Sequence, residues 1–560
     1  MSLLPDVGPF TIQDGALGMI LPGTAKVQLK IGVSPKGTPG VIQSAADTST
    51  LTNLFGPGGP LVESAALALQ AGGPVYCIPA TPSTYGAAGT VTKTVSGGAA
   101  TMTVAEDPFA TILVKVSTGG TVGNAYVIAS ADSGATWSSP QVSAATVVLA
   151  AAPFVTIGMA AGTYVVGDYW TISTAGASVH TGSGYDGVTV NDSCPVDNYA
   201  LVVQCVTGGA LATATFRYSL DGGNNYSGTL LTPVSGVYVI PDTGLKLTLV
   251  GTQVAGDTWT CPVTTAIYSG SDLTAAMTAA LADSRTWGFC HVVGPAATVA
   301  AAATLAGTLQ TSLVTAKAAY RFARGIIEVP ADTDVAILAA FAAVSTDRVM
   351  WAAGWEYVIS PLNGRQMLRP SAWVASARAS AIAISEDLGY VNRGALDGVS
   401  LTAANTALTK QRDENSTPGL DVARFTTLRS ILGVQGVYIT SGRLGAADGS
   451  DYQLWQNGRV MDVFCDSVRR GALKFLNASV RVNADGTIYE QDARVIENWI
   501  TRKARDTVVI PGDATDCSVH VSRTQNVLST QTLPITARLR PLGYARYLPV
   551  DIGFVTVQAG

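Results

Sequence analysis

The chain has 560 residues, enough for two to four domains. Charged residues make up 13% of it, about half the usual share of soluble domains, and hydrophobic residues make up 47%. The net charge of −5 argues against a nucleic-acid partner, and a weakly charged surface favours self-association.

The N-terminal part of the chain predicts an α/β unit. Apolar and polar residues alternate over residues 25–33 and predict a half-buried strand. Its apolar face is formed by Val27, Leu29, Ile31 and Val33. Residues 61–70 predict a helix that ends at a glycine pair, and residues 74–79 predict a short buried strand. A helix that leads to an apolar strand makes half of an α/β unit.

Residues 81–265 contain a duplication. The segment SADSGATWS at 130–138 recurs 89 positions later as SLDGGNNYS at 219–227, and the offset holds on both sides of it. The sequence of this segment is rich in β-branched residues, Gly, Thr and Ser, with frequent turn signals. Such a composition is typical of β-sandwiches. We expect an inserted tandem β-sandwich region, so the function is expected to lie in the flanking segments.

The repeated segment resembles the Asp-box hairpin. Its aspartate is expected to accept backbone N–H bonds, its second glycine to take a positive φ, and its aromatic residue to fill the space beneath the turn. In the two copies these residues are Asp132, Gly134 and Trp137, and Asp221, Gly223 and Tyr226. The hairpin is interpreted as a folding device, with glycan binding as the alternative.

From residue 266 the α/β pattern returns. Predicted helices cover residues 271–282, 296–323, 334–344 and 371–381, and predicted strands cover 287–293, 325–330 and 348–358. This alternation predicts a mostly parallel sheet covered on both faces. Further on, helices at 453–475 and 489–505 enclose a predicted hairpin at 480–489, and strand-like pieces follow at 519–522, 533–540 and 553–557.

The predicted fold class is therefore multidomain α+β: an α/β core, the tandem β-sandwich insertion and a C-terminal α+β assembly domain. The expected boundaries are 1–24 for an N-terminal arm, 25–80 plus 266–450 for the core, 81–176 and 177–265 for the two repeats, and 451–560 for the C-terminal domain.

No motif predicts catalytic residues, a metal or a cofactor. The three histidines are isolated, and Cys290 and His291 are neighbours on a predicted strand, where they point to opposite faces. The Gly-rich run at 56–60 lacks the Lys-Ser/Thr of a phosphate loop. A sialidase-like reading fails because residues 81–265 contain one arginine, Arg217. We therefore expect a structural protein and not an enzyme.

The cysteines and the hydropathy pattern bear on the compartment. The seven cysteines are scattered, with no Cys-x-x-Cys, so reduced core thiols in a protein made in the cytosol are expected. The first residues lack the basic and apolar regions of a signal peptide. Residues 133–167 carry no charge but are broken by Gly and Pro, which favours strands over membrane insertion.

The flanking segments resemble the contractile tail sheath proteins of bacteriophages. The resemblance lies in the order strand, NLFG (53–56), helix, GGPVYCI (72–78), and in MLRPSAWVASAR (367–378), EDLGY (386–390) and RGALDG (393–398). It extends to the helix, hairpin, helix and strand order after residue 450. It implies a subunit that forms helical stacked rings around a tail tube in a virion tail assembled in the host cytoplasm, and contracts to deliver the genome.

The resemblance also implies terminal arms that add strands to a neighbouring subunit. The candidates are Val27, Leu29, Ile31 and Val33 for the first arm, Val480 and Val482 for a receiving hairpin, and Phe554, Val555 and Val557 for the last strand. The alternative is that each strand pairs within its own subunit.

Residues 451–560 hold 13 Lys/Arg and 11 Asp/Glu, against 4 and 10 in residues 81–265. By resemblance this last domain faces the tube through weak ionic contacts. The candidate residues are Arg469, Arg470, Lys474, Arg502, Lys503 and Arg505. Other implied partners are baseplate and tail terminator proteins. The rival hypothesis is a surface adhesin or glycan-binding protein that uses the repeats.

Overall fold

The computed structural model describes residues 24–72, 75–94, 100–173, 178–181, 188–294, 296–405, 408 and 410–553. The chain is a multidomain α+β protein that divides into two compact units. The first unit comprises Met1–Ala383 and Leu388–Arg459, and the second comprises Ile384–Asp387 and Val460–Gly560.

The first unit begins with core elements that are interrupted by a long run of strands. The core elements are β1 (Gln28–Gly32), β2 (Gln43–Ala45), α1 (Thr48–Phe55), α2 (Pro60–Gln70) and β3 (Val75–Pro79). The first half of the interruption contains β4 (Thr92–Thr94), β5 (Thr101–Glu106), β6 (Ile112–Thr118), β7 (Gly120–Thr121), β8 (Tyr126–Ser130), β9 (Gln141–Val142), β10 (Thr146–Val148), β11 (Val155–Met159), β12 (Thr163–Tyr164) and β13 (Tyr169–Ile172). The second half contains β14 (Ser178–Thr181), β15 (Val188–Ser193), β16 (Tyr199–Thr207), β17 (Thr215–Ser219), β18 (Leu230–Leu231), β19 (Val237–Ile240), β20 (Leu245–Val250) and β21 (Thr258–Val263).

In the rest of the first unit helices and strands alternate at first, and strands then follow one another on either side of one further helix. The elements are α3 (Gly270–Ala282), β22 (Phe289–Val292), α4 (Val299–Ala318), β23 (Arg324–Glu328), α5 (Asp334–Phe341), β24 (Val349–Ala352), β25 (Trp355–Ile359), β26 (Gln366–Pro370), α6 (Ser371–Ala381), β27 (Val399–Ser400), β28 (Leu428–Ile431) and β29 (Val434–Ile439). Then follow α7 (Trp455–Leu473), α8 (Glu490–Ala504), β30 (Asp516–Val521), α9 (Val527–Thr530) and β31 (Ile535–Arg540).

The core of the first unit is a six-stranded sheet in the order β2-β3-β1-β22-β23-β24. All its pairs are parallel except β2 with β3. Every residue of β1 is buried, because helices cover both faces of the sheet. Leu29 and Ile31 share a hydrophobic cluster with residues of α3 and α4, whereas Cys77 of β3 clusters with residues of α2 and α6 on the other face. The expectation that β1 is half-buried was wrong.

Residues 348–358 were expected to form one strand, but they form β24 and β25, which lie in different sheets. Gly354 separates the two strands at φ 112°, a conformation that glycine adopts without strain. β25 then pairs antiparallel with β26 and β27. The isolated Gly354 inside the run was the available signal of this turn.

The duplication is visible in the strand register. In the first copy, Tyr169 of β13 pairs with Lys115 of β6, and in the second copy Thr258 of β21 pairs with Gln204 of β16. The β8–β9 and β17–β18 pairs match in the same way, with Tyr126 opposite Val142 and Thr215 opposite Leu231. Each residue of a pair in the second copy lies 89 positions after the corresponding residue in the first copy, which is the offset seen in the sequence.

Each copy has a five-stranded and a three-stranded sheet. The first copy combines β14-β13-β6-β8-β9 with β10-β11-β15, and the second combines β18-β17-β16-β21-β4 with β19-β20-β5. Within each copy, residues of both sheets share one hydrophobic cluster. Strand pairing crosses the boundary expected at 176/177, because β4 and β5 complete the second copy while β14 and β15 complete the first.

Both Asp-box turns form the expected hydrogen bonds. Asp132 Oδ1 accepts from the N–H of Thr136 at 2.9 Å, and Asp221 Oδ1 accepts from the N–H of Asn225 at 2.8 Å. The two glycines have φ values of 89° and 94°. The aromatic residues pack against the turns as expected, since a Cβ added at Gly134 would lie 3.6 Å from the Trp137 ring and one at Gly223 would lie 3.8 Å from the Tyr226 ring. Their outer parts stay in water, because Trp137 is 39% and Tyr226 is 36% exposed.

α4 has the length and apolar composition of a membrane-crossing helix. It packs as a core helix, because Ala306, Leu309 and Leu313 share a buried cluster with residues of the sheet and of α3. Its remaining face is polar or exposed, as in other amphipathic helices of globular domains.

Candidate assembly site

The second unit is built around one amphipathic helix and a small sheet. α8 buries Ala493, Ile496 and Ile500, which recur at helical spacing. These residues cluster with Val519 and Val521, the inward-facing residues of β30. The packing holds β30 against α8 and fixes the position of its hydrogen-bonded partner strand.

The sheet of the second unit has two strands in the part of the chain that is described. β30 and β31 pair antiparallel over six residues, from Asp516 opposite Arg540 to Val521 opposite Ile535. The backbone N–H of Val521 is bonded to Glu497 Oε1 at 2.7 Å, which occupies one end of β30. β31 is exposed at alternate residues and has no second strand partner among the described residues. An edge of this kind presents unpaired N–H and C=O groups to another chain.

An extended apolar tail follows β31. Tyr547, Leu548, Val550 and Ile552 are 81%, 77%, 72% and 92% exposed. Before them, the hydroxyl of Tyr544 donates to the backbone carbonyl of Ser385 at 2.6 Å. Burial, and secondarily the carboxylates of Asp387 and Asp513, raise the pKa of Tyr544 to about 12. The tail is therefore anchored at Tyr544 and offers an apolar surface beyond it.

A network of ion pairs that sequence reasoning missed joins α8 to the end of β30. Arg523 lies 3.1 Å from Glu490 and donates to Glu497 Oε2 at 2.9 Å, while Arg494 bonds Glu490 at 2.7 Å. Hydrogen bonds from Arg523 and then Arg494 lower the pKa of Glu490 to about 2. The spacing of Glu490 and Arg494 on a helix was the available signal, and Arg523 was not predictable from it.

Most of the expected tube-facing residues have partners inside the second unit. Arg470 pairs with Asp466 at 2.6 Å, and Arg505 pairs with Asp516 at 2.6 Å. Lys474 and Lys503 lie over the Trp499 ring, at 3.4 and 5.4 Å from its centroid, and Arg469 is also engaged. Arg502 is exposed and has neither an ion pair nor a ring contact among the described residues, so its side chain is the one of the set that no contact within the described chain holds in place.

The structure separates the three predicted strand-exchange groups. Val27, Leu29, Ile31 and Val33 lie in or beside β1, whose two edges pair with β3 and β22. That expectation is corrected, because a central strand of a parallel sheet has no free edge to give. The expected hairpin at 480–489 has the predicted turn at Gly486 but only a bridge from Val482 to Ile488, and Val480 packs on the α8 cluster. Phe554, Val555 and Val557 lie outside the described residues.

A buried polar cluster lies between the core sheet and helices α2 and α6. Lys30 Nζ lies 2.9 Å from Ser64 Oγ, 2.7 Å from Ser376 Oγ and 2.9 Å from His291 Nδ1. His291 Nε2 is 3.3 Å from Glu328 Oε1. Lys30 and His291 are fully buried, so the cluster has no access for a substrate. Neighbouring Cys290 faces the other side of the sheet, and burial raises its pKa to about 12, as expected for an inert thiol.

Glu328 makes the stability of the first unit depend on pH. Burial raises its pKa from 4.5 to about 8, so the folded protein keeps a proton that the unfolded chain releases. This contribution to stability is present below about pH 4.5 and is lost as the pH rises towards 8. We expect Glu328→Gln, which can still accept from Trp373 Nε1, to gain stability relative to the parent protein over this range. Urea unfolding at several pH values measures the difference; a constant difference between the two proteins would contradict it.

Lys30 has the opposite dependence. Burial lowers its pKa from 10.5 to about 7, so its contribution is lost as the pH falls from 10.5 towards 7. Below pH 7, the difference in unfolding free energy between the parent protein and Glu328→Gln therefore reports on Glu328 and not on Lys30.

The fold and the site define a multidomain α+β protein whose C-terminal unit has an exposed apolar tail. Two family models cover the chain: DUF2586, N-terminal domain, at residues 4–443, and DUF2586, C-terminal domain, at residues 451–559. The chain belongs to the DUF2586 family.

Similar solved structures are sheath proteins, the class that the sequence resembles. A sheath tail protein from Listeria innocua is 10% identical with a TM-score of 0.42, over 92% of this chain and 91% of that chain. A sheath tail protein from Desulfitobacterium hafniense is 10% identical with a TM-score of 0.41, over 94% and 98%. A chain of the contracted sheath complex of an extracellular contractile injection system, PVC, is 11% identical with a TM-score of 0.32, over 42% of this chain and 65% of that chain. A search of curated proteins finds no match.

Proposed function

We infer that the protein is a structural sheath subunit that polymerises helically around a tail tube. The observation that carries this proposal is the exposed tail at residues 547–552, which leaves four large apolar side chains in water and follows a strand that has one free edge among the described residues. A monomer gains nothing from such a surface, whereas a polymer buries it. The tail of one subunit adds to β31 of the next as an extra strand, and this head-to-tail contact does not close on itself.

The proposal extends to the particle and its action. The subunit forms stacked rings in a virion tail assembled in the host cytoplasm, in contact with tube, baseplate and terminator proteins. Contraction drives the tube through the host envelope for genome delivery, while strand-linked subunits stay connected. The role is structural and not enzymatic, and the buried, inaccessible polar cluster of the core is consistent with it. The inserted sheets form two β-sandwiches on this α/β core.

Negative-stain electron microscopy of the purified protein at high concentration tests the proposal. Hollow tubes or stacked rings with regular striations are expected. Monomers that remain dispersed both alone and with isolated tail tubes would overturn it.

Arg502 is the charge best placed to contact the tube. Arg502→Glu is expected to weaken co-assembly with tube while self-assembly at high concentration persists, because an exposed ionic contact contributes only about 0.2–1 kcal/mol per subunit. Co-sedimentation with tube at increasing salt measures the effect. Lys317→Glu, a charge reversal at an exposed residue of α4 in the first unit, is the matched control; equal losses in both variants would contradict the assignment.

A further inference from the structure

The outward face of the five-stranded sheet in the first copy has three aromatic side chains around a lysine. Tyr126, Trp137 and Tyr169 are 38%, 39% and 38% exposed. Lys115 lies opposite Tyr169 in the register, with its Nζ 6.0 Å from the centroid of the Trp137 ring. The neighbours of both tyrosines along their strands are buried in the core, so the tyrosines point outward.

Lys115 has no carboxylate partner among the described residues, and its ammonium group lies over the Trp137 ring. Its ammonium group has no ion pair and no hydrogen bond within the described part of the chain. None of the outward residues of β6, β8, β9 and β13 is acidic. The described part of this face therefore combines exposed aromatic rings with a positive charge that has no carboxylate partner there.

The second copy has the same strand register, so its sheet face can be compared with that of the first copy position by position. The residues on the two faces differ. The positions of Lys115, Tyr126 and Tyr169 are occupied there by Gln204, Thr215 and Thr258. Arg217 of the second copy donates to Gln204 Oε1 at 2.7 and 2.9 Å, and its guanidinium lies 4.2 Å from the centroid of the Tyr226 ring. The cation and ring of that copy satisfy each other. Since the second copy folds without the extra tyrosines and lysine, folding does not require them in the first.

We propose that this face of the first copy binds an anionic polysaccharide. A pyranose ring has an apolar C–H face and a rim of hydroxyls, which match an aromatic plane with polar groups at its edge. Because Lys115 Nζ lies over the Trp137 ring, a sugar that packs against the exposed edge of this ring brings its carboxylate within reach of Lys115, and this charge complementarity selects acidic sugars. Tyr126 and Tyr169 are two strands and two residues apart, about 12 Å, which suits a chain of sugars better than a single one.

A protein partner is less suited to this face. Protein interfaces concentrate their affinity in side chains that enter well-packed pockets, and this is the open face of a sheet. The proposal goes beyond the sheath role, which makes no demand on this surface, and it gives the insertion an affinity for an acidic cell-surface glycan.

Affinity electrophoresis of the full chain tests the proposal, with native gels containing alginate, polysialic acid or neutral dextran. Retardation is expected in at least one acidic gel and not in dextran. Trp137→Ala and Lys115→Gln, the latter introducing the residue of the second copy, are expected to bind about tenfold more weakly. Tyr226→Ala in the second copy is the matched control and should bind as the parent does. Circular dichroism confirms that each variant is folded.

Three results would overturn the proposal. The parent protein could migrate identically in all gels, the Trp137→Ala variant could be retarded as strongly as the parent, or dextran could retard the parent as strongly as the acidic polymers. Loss of tube formation by Trp137→Ala, without polysaccharide binding by the parent, would assign the face to a protein contact instead.

Discussion

Replacing Val550 and Ile552 by aspartate is expected to abolish tube formation and leave a folded monomer. Both side chains are more than 70% exposed, so the substitutions cost the isolated chain little stability. In the polymer they would place two charges where apolar side chains are buried against a neighbour. An unpaired charge in such a contact costs several kcal/mol per subunit, and the cost recurs at every contact of the filament.

Electron microscopy and analytical ultracentrifugation measure the outcome. Replacing Ala537 and Leu539 on β31 by proline is the complementary change, because their N–H groups face away from β30 in the register, and proline removes these donors from the proposed receiving edge. A matched control is Val335→Asp, an exposed valine on α5 of the first unit. Normal tubes from the Val550→Asp/Ile552→Asp variant would show that the tail is not the connecting arm.

Arg369→Ala is expected to lower the stability of the first unit by about 3–5 kcal/mol, the usual cost of breaking a buried ion pair. Arg369 Nη1 donates to Asp197 Oδ1 at 3.1 Å, and Nη2 bonds the other carboxylate oxygen. The side chains are 5% and 3% exposed. The guanidinium also lies 4.7 Å from the centroid of the Trp373 ring. The pair joins the second copy to the core, and its loss leaves Asp197 buried without its partner.

The double variant Arg369→Met/Asp197→Leu distinguishes the effect of removing the whole ion pair from the effect of leaving one charge buried without its partner. The double variant removes both charges and keeps apolar volume, so it should be more stable than either single variant. Urea unfolding followed by Trp fluorescence gives the midpoints. A parent-like midpoint for Arg369→Ala would mean that solvent reaches the aspartate and that the pair does not hold the copy to the core.

The sequence predicts local elements well where one element has one clear period. α6 was expected at 371–381 and lies at Ser371–Ala381, because Pro370 ends the preceding strand at the start of the helix. α8 and α5 begin within one residue of their expected starts. Residue patterns of this kind depend on neighbours within a few positions, which sequence alone contains.

The errors come from long-range placement. Lys30 alternates with apolar residues and looks solvent-exposed, but α2 and α6 cover it and supply two serine hydroxyls. The exposed tail could be read from sequence only as an apolar run; that nothing in the described chain covers it is a property of the tertiary structure. For the candidate site, the helices and both strands were expected, whereas the edge left open by β31 was not.

The strand exchange between the two copies also determines how this chain can grow and fold. The first copy is contiguous from β6 to β15, while the second copy is assembled from β4 and β5 before it and β16 to β21 after it. The first copy is inserted within the sequence of the second copy, and the second copy is inserted within the sequence of the core. During synthesis the innermost module can close first, and each outer one must then bring together ends separated by everything it encloses. A further module inserted between β5 and β6 would therefore leave every existing strand pair in place.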